Sequence, residues 1–134
     1  MIVTRHESLR IQDEDEIVKI RQQARRWAAD LGFSLVDQTK MVTAASEIAR
    51  NTVVYGGGGT VDIEMVQAGD RQGLRLSFVD AGPGISDVEL ALRDGYTTGS
   101  GLGLGLGGAR RLVNDFEIDS RPGQGTRVVI TRWK

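Results

Sequence analysis

Glycine is concentrated in three stretches of this chain, and this limits what the chain can fold into. There are 18 glycines among 134 residues, against an average share of about 7%. They cluster at Gly56 to Gly59, at Gly82 with Gly84, and seven times between Gly95 and Gly108. Only two prolines accompany them, so this is not low-complexity sequence. Because glycine lets a backbone approach its surroundings closely, we expect a binding site built largely from main chain.

The composition excludes several kinds of site and partner. The absence of cysteine excludes a disulfide scaffold, a Cys-ligated zinc site and a cysteine nucleophile. A single histidine, His6, leaves only one base for a Ser-His-Asp triad and excludes His-rich metal sites. The net charge of −1 gives no electrostatic reason to expect a nucleic acid or an anionic membrane as partner. Without a membrane-length apolar run or a signal peptide, we expect one cytoplasmic domain over residues 1–134.

Two segments have the apolar spacing of helices. The first follows four acidic residues, Asp13 to Glu16, and ends before Gly32. The second is predicted to start with Asp37 as N-cap and to run to about Tyr55. Its core stripe is Met41, Ala45, Ile48, Ala49 and Thr52. Glu47 and Asn51 lie one turn apart beside that stripe, so they share a face of the helix.

Alternating apolar and polar residues predict the strands, at 6–11, 60–66, 74–79, 116–120 and 126–133. A short helix is predicted at about 108–115. This order favours an α+β sandwich with one mixed, mostly antiparallel sheet and helices on one face. His6 is then an ordinary surface or edge-strand residue.

Four segments at the ends of these elements carry polar side chains or glycine. They are residues 47–55 (ExxRNxxxY), 80–84 (DAGPG), 101–105 (GLGLG) and 123–126 (GQGT). The glycine run is not a dinucleotide fingerprint, because a polar loop rather than a buried strand precedes it. It can still offer N–H groups to a phosphate. Taken singly, each segment also has an ordinary explanation as a surface loop, a strand-ending turn or a polar helix edge.

The side chains in these segments suit nucleotide chemistry. The Asp80 carboxylate can accept a hydrogen bond from an exocyclic amine such as that of adenine. The Asn51 amide oxygen is a hard ligand suited to Mg²⁺. The Glu47 carboxylate can orient or deprotonate an attacking hydroxyl.

In this order the four segments resemble the Bergerat, or GHKL, ATP-binding family over about residues 37–132. The segments 46–51 (SEIARN), 80–85 (DAGPGI), 94–106 (DGYTTGSGLGLGL) and 108–118 (GARRLVNDFEI) are similar to short serine kinases of the stressosome, a partner-switching system. Two departures are visible: the tract from Gly56 to Gly59 is richer in glycine than expected, and Gly107 stands where the family often has proline. Both lie in predicted loops, so we expect them to affect loop flexibility more than catalysis.

The resemblance implies ATP and Mg²⁺ as cofactors and a role for each matching residue. Asn51 would bind the metal, Glu47 would be the base, and Arg50 would contact phosphate or the protein substrate. Asp80 would bind the adenine amine directly and through a water shared with Thr126. The glycines Gly82 and Gly84 would make room for the base, while the phosphates would be wrapped by Gly101, Leu102, Gly103 and Gly105.

The resemblance also implies partners. The leading hypothesis is a protein serine/threonine kinase that phosphorylates a small STAS-domain antagonist and activates a PPM-type serine phosphatase. The alternative is an anti-sigma factor whose main role is to sequester an RNA polymerase sigma subunit. A histidine-kinase catalytic domain is less consistent, because no two-helix dimerisation segment surrounds His6.

Overall fold

The computed structural model describes residues 1–93 and 105–134 as one antiparallel sheet with helices on one face. The strands are β1 (Ile2–Ile11), β2 (Gly59–Ala68), β3 (Arg71–Asp80), β4 (Asp115–Ser120) and β5 (Thr126–Trp133). The helices are α1 (Glu14–Asp30), α2 (Leu35–Val54), α3 (Val88–Ala91) and α4 (Gly105–Arg111). The sheet order is β1-β2-β3-β5-β4, and each of these neighbouring pairs is antiparallel.

Helix α1 begins and ends as its sequence predicts. The Asp13 side chain caps the helix by accepting a hydrogen bond from the Glu16 N–H at 3.0 Å. Three acidic residues occupy the first turn, where the helix dipole favours negative charge. The predicted apolar face is buried from Ile17 to Ala28.

Helix α2 begins two residues before the predicted N-cap, so that prediction was wrong. The cap is Ser34, whose hydroxyl accepts a hydrogen bond from the Asp37 N–H at 3.1 Å. The Asp37 side chain instead accepts a hydrogen bond from Arg132 of β5 at 2.6 Å. The predicted stripe from Met41 to Thr52 is buried, as expected.

The other predicted elements are present with shifted boundaries. Strand β1 starts at Ile2 rather than at residue 6, and β2 and β3 are each longer than predicted. Helix α4 starts at Gly105 and ends at Arg111, three residues earlier than expected at its start. Glycine is a poor helix former, which is why propensity placed the start at residue 108. The short helix α3 was not predicted.

The core lies between the helices and the inner face of the sheet. The inner-face row Val61, Phe78 and Val128 is buried and crosses three neighbouring strands. Trp27 of α1 and Met41 of α2 pack in the same core cluster. The next row on this face holds Asp80, at the end of β3, and Thr126, at the start of β5. The sheet therefore places polar side chains at the edge of the core.

The opposite face of the sheet carries polar and charged side chains, including His6. The His6 Nε2 atom lies 3.4 Å from Asp62 Oδ1 and 3.4 Å from Ser8 Oγ, and Ser8 also hydrogen-bonds to Asp62. A catalytic triad needs one ring nitrogen for the serine and the other for the aspartate. Here one nitrogen faces both on an exposed strand, so His6 is an edge-strand residue, as the sequence predicts.

We predict that Asp37→Asn destabilises the fold in a pH-dependent way. The Arg132 guanidinium, by hydrogen bonding and charge, holds the pKa of the Asp37 carboxyl below its ordinary value. A carboxyl with a lowered folded-state pKa contributes stability above its unfolded pKa of about 3.9 and loses it as the pH falls through the folded-state pKa. Urea unfolding should therefore show a stability gap between wild type and variant that is constant from about pH 7 to 5 and closes in more acidic solution.

The matched control is Asp70→Asn, which changes an exposed carboxylate in the turn between β2 and β3. A gap for Asp37→Asn that persisted unchanged in acid would contradict a charge-based contribution from this pair.

Candidate functional site

A cavity of about 340 Å³ opens between α2 and the ends of β3 and β5. Such a volume is at the lower end of small-molecule pockets. The predicted site residues that line it are Glu47, Arg50, Asn51, Asp80, Gly84, Gly105 and Thr126. Apolar side chains of the core and of α3, among them Ile48, Phe78 and Leu90, line it as well. The structure thus brings three of the four sequence motifs to one space, and the fourth reaches it at Gly105.

Helix α2 supplies one wall, with Glu47 and Asn51 on the same face. The helical spacing of four residues places both side chains at the cavity, as expected. The Glu47 carboxylate accepts a hydrogen bond from the Gly105 N–H at 3.3 Å, which links α2 to the start of α4. An acidic side chain and an amide side chain therefore lie on the same wall of the cavity.

The opposite wall is built around Asp80, the last residue of β3. Its Oδ1 atom accepts a hydrogen bond from the Gly82 N–H at 2.9 Å, which fixes the carboxylate at the turn. Thr126, the first residue of β5, is the cross-strand neighbour of Asp80 and also lines the cavity. A carboxylate acceptor and a hydroxyl thus lie side by side at this wall.

The glycines near Asp80 are required by close packing of protein on protein. A Cβ at Gly56 would lie 2.4 Å from the Asp80 carboxyl carbon, and a Cβ at Gly82 would lie 2.7 Å from the Gly56 Cα. At Gly84 and Gly125, a Cβ would come within about 2 Å of a carbonyl oxygen: 2.0 Å from that of Arg121 and 2.1 Å from that of Asp80. The atoms that crowd Gly82 and Gly84 belong to neighbouring backbone. The predicted role of these two glycines, to make room for a bound base, therefore stays a prediction.

The tract from Gly56 to Gly59 is likewise not a flexible spacer, which corrects the expectation from sequence. Gly57 and Gly58 have φ of 75° and 100°. The Gly58 N–H donates a hydrogen bond to the Thr52 carbonyl at 2.8 Å, which caps the end of α2. A Cβ at Gly59 would lie 2.0 Å from the Val79 carbonyl oxygen. The tract therefore ends α2 and starts β2 with no room for a side chain at Gly56 or Gly59, and with left-handed backbone at Gly57 and Gly58.

The other departure, Gly107, is also a packing position. It is buried in α4, and a Cβ there would lie 2.3 Å from the carbonyl oxygen of Leu92, the C-cap of α3. Glycine lets the two short helices approach each other, so its role is close contact rather than flexibility.

Ser120 contributes to this region, and sequence reasoning missed it. Its hydroxyl accepts a hydrogen bond from the Ile85 N–H at 2.8 Å and lies 2.7 Å from the Thr126 hydroxyl. A serine at the end of a strand looks like an ordinary hairpin residue, and only its place beside Thr126 in the β4–β5 register marks it out. The predicted phosphate-contacting residues Gly101, Leu102 and Gly103 lie outside the described residues.

The described part of the chain shows neither a cluster of metal-binding side chains nor a membrane-spanning helix. Across residues 1–93 and 105–134, no three His, Cys, Asp or Glu side chains come together as a metal-binding group. Within the same residues, no helix is both long and apolar enough to cross a membrane.

We predict that Gly59→Ala costs much more stability than Gly57→Ala. The added methyl at Gly59 meets a backbone carbonyl that cannot rotate away, so we expect a loss of about 3 kcal/mol, at the upper end for overpacking. At Gly57 nothing lies within 4 Å of the new Cβ. There the left-handed strain is partly offset by lower unfolded-state entropy, for a net cost of about 1 kcal/mol. Equal, small losses in urea unfolding would contradict the close packing.

Comparison with known proteins connects this cavity to a family. The model of the family described as histidine kinase-, DNA gyrase B- and HSP90-like ATPase matches residues 36–134. The serine/threonine-protein kinase RsbT of Bacillus subtilis is 42% identical over 125 residues, which cover 93% of this chain and 94% of that protein. An anti-sigma F factor of a Thermoanaerobacter species is 27% identical over 80% of this chain and 78% of that protein.

A solved structure has the same fold. The RsbU and RsbW domains of a Mycobacterium tuberculosis protein match 98% of this chain with a TM-score of 0.66 and 24% identity. The present chain spans a third of that longer chain, 33% of its length. The fold class predicted from the sequence is confirmed, and the chain belongs to the family of histidine kinase-, DNA gyrase B- and HSP90-like ATPases.

Proposed function

We propose that this chain is an ATP-dependent protein serine/threonine kinase of a partner-switching module. Its substrate is a small STAS-domain antagonist protein, and its second partner is a PPM-type serine phosphatase that it activates. One observation carries this assignment: a single cavity places Asp80 and Thr126 at one wall and Glu47 and Asn51 at the other. The similarity to a serine/threonine kinase over nearly the whole chain supports it. Because ATP is a cytoplasmic phosphoryl donor, the cytoplasm is the expected place of action.

The wall at Asp80 suits the nucleoside. With Oδ1 held by the Gly82 N–H, Oδ2 is the oxygen left to accept from the adenine amine. Thr126 adds a hydroxyl beside it, directly or through a shared water. Gly84 lines the same wall, and the proposal is that the flat ring lies against its backbone.

The wall at α2 suits the phosphates and Mg²⁺. Asn51 offers an amide oxygen, a hard donor of the kind that Mg²⁺ accepts. When bound, the metal neutralises charge on the transferring phosphoryl group. Arg50, at the same wall, contacts phosphate or the protein substrate, and Gly101, Leu102, Gly103 and Gly105 are proposed to surround the phosphates.

The chemistry assigned to Glu47 is proton acceptance. The hydroxyl oxygen of the substrate serine forms a bond to the γ-phosphorus, and the bond from that phosphorus to the β,γ-bridging oxygen breaks, releasing ADP. The serine proton passes to the Glu47 carboxylate. Most of the rate enhancement comes from positioning and charge neutralisation, since phosphoryl transfer leaves little covalent work for the protein.

A second candidate function is an anti-sigma factor, which the similarity to anti-sigma F factors favours. In that case the main output is sequestration of an RNA polymerase sigma subunit. The protein retained in a pull-down from cells separates the two: a STAS-domain protein and a phosphatase, or a sigma factor.

We predict that Glu47→Ala separates nucleotide binding from phosphoryl transfer. Transfer from labelled ATP-Mg²⁺ to a STAS-domain protein of the same organism should fall by about 10²- to 10⁴-fold, the usual share of a general base. The dissociation constant for ATP should change by less than about threefold, because the Asp80 wall is untouched. The matched control is Glu117→Ala on exposed β4, which should change neither the transfer rate nor the dissociation constant for ATP. Lost binding with turnover preserved in the residual complex would contradict the role.

We predict that Asp80→Asn weakens ATP binding by roughly ten- to a hundredfold. Hydrogen bonds to charged groups contribute about 1.5–3 kcal/mol, and the amide that replaces the carboxylate presents a donor to the adenine amine. Calorimetric titration of ATP measures the change, with Asp119→Asn on the exposed edge strand as control. Unchanged affinity for Asp80→Asn would place the base elsewhere.

A further inference from the structure

Ser120 lies next to the cavity but does not line it. The cross-strand pairs Asp80 with Thr126 and Ser120 with Thr126 place these three residues in one row on the inner face of the sheet. Thr126 is in the middle of the row, with the Asp80 carboxylate on one side and the Ser120 hydroxyl on the other. Ser120 can therefore act on the cavity only through what it touches.

The Ser120 hydroxyl has one proton and two lone pairs to share among its three neighbours. The oxygen accepts from the Ile85 N–H at 2.8 Å, so one of its lone pairs is in use. Its one proton can go to the Thr126 hydroxyl at 2.7 Å or to the Gly125 carbonyl at 3.2 Å. The two hydroxyls are at the usual O–H···O length, so one donates to the other, and either can be the donor.

The direction of the Ser120–Thr126 hydrogen bond decides whether Thr126 presents a donor or an acceptor to the cavity. A hydroxyl has one proton and two lone pairs. When Ser120 is the donor, the proton of Thr126 is available to donate into the cavity that Thr126 lines. Without Ser120, the Thr126 hydroxyl could rotate and present a lone pair instead.

We propose that Ser120 donates to Thr126 and is thereby a positioning residue for purine selection, because it keeps a donor next to the acceptor Asp80. This rests on the proposed function, since it assumes a purine nucleotide at Asp80. Adenine presents an amine donor at C6 and an acceptor at N1, which complement an acceptor beside a donor. Guanine presents the reverse, an acceptor at O6 and a donor at N1. Sites built to hydrogen-bond one such pattern reject the other because buried polar groups are left unpaired.

The test is the ratio of affinities for ATP and GTP, measured by calorimetric titration with Mg²⁺. Ser120→Ala should lower this ratio by about tenfold, the effect of one hydrogen bond of ordinary strength. Ser120→Thr keeps the hydroxyl and should stay within about twofold of wild type. Ser120→Cys keeps the size but is a weak donor, so it should behave like alanine and serves if the alanine variant does not fold.

A second background isolates the relay through Thr126. In Thr126→Val the hydroxyl is absent, so adding Ser120→Ala should leave the ratio unchanged. In a purely structural role, Ser120 would only hold the loop at Ile85 in place. Its loss would then weaken the binding of ATP and GTP alike and leave the ratio of affinities unchanged in both backgrounds.

The outcomes separate this inference from the proposed function. A wild-type chain that binds neither nucleotide overturns the proposed function and this inference with it. A wild type that prefers ATP, with a ratio unchanged in Ser120→Ala, overturns the role of Ser120 alone. A ratio that falls in Ser120→Ala, is kept by Ser120→Thr and is insensitive in the Thr126→Val background supports it.

Discussion

Three backbone segments meet around Asp80 so closely that only glycine fits at the contacts. Gly56, after α2, packs against the Asp80 carboxylate and against Gly82 of the following loop, while Gly125 of the last hairpin packs against the Asp80 carbonyl. A side chain added at any of these glycines would overpack the contact, so the three segments stay this close only because glycine is present. The position of the carboxylate relative to α2 follows from this packing, and so does the cavity between them. Fold and site are therefore set by the same contacts.

Much of the architecture could be predicted because it depends on periodicity. The stripe from Met41 to Thr52 repeats at helical spacing, so its burial and the shared face of Glu47 and Asn51 follow from the helix itself. The strands alternate with period two, which gave their number and the face that carries Phe78. The order of the four motifs indicated the family, and residues of each motif line the cavity, the glycine run at Gly105.

What could not be predicted depends on contacts between distant residues. Ser34 and Asp37 are both good N-caps, and only the pairing of Asp37 with Arg132, 95 positions away, decides between them. Gly56 and Gly107 read as loop residues in the sequence, yet each is fixed by a neighbour from another segment. Ser120 carries no local signal at all, since its significance lies in the strand pairing that places it beside Thr126. Local propensity contains none of this information.

The central claim is that one cavity holds a nucleotide by two different walls. Backbone amide NMR with adenosine and with ATP-Mg²⁺ tests it most directly. The account predicts that both ligands shift the amides of Gly82, Gly84 and Thr126, and that only ATP-Mg²⁺ also shifts those of Glu47 and Asn51. Shifts confined to the opposite face of the sheet, or identical patterns for the two ligands at α2, would contradict it.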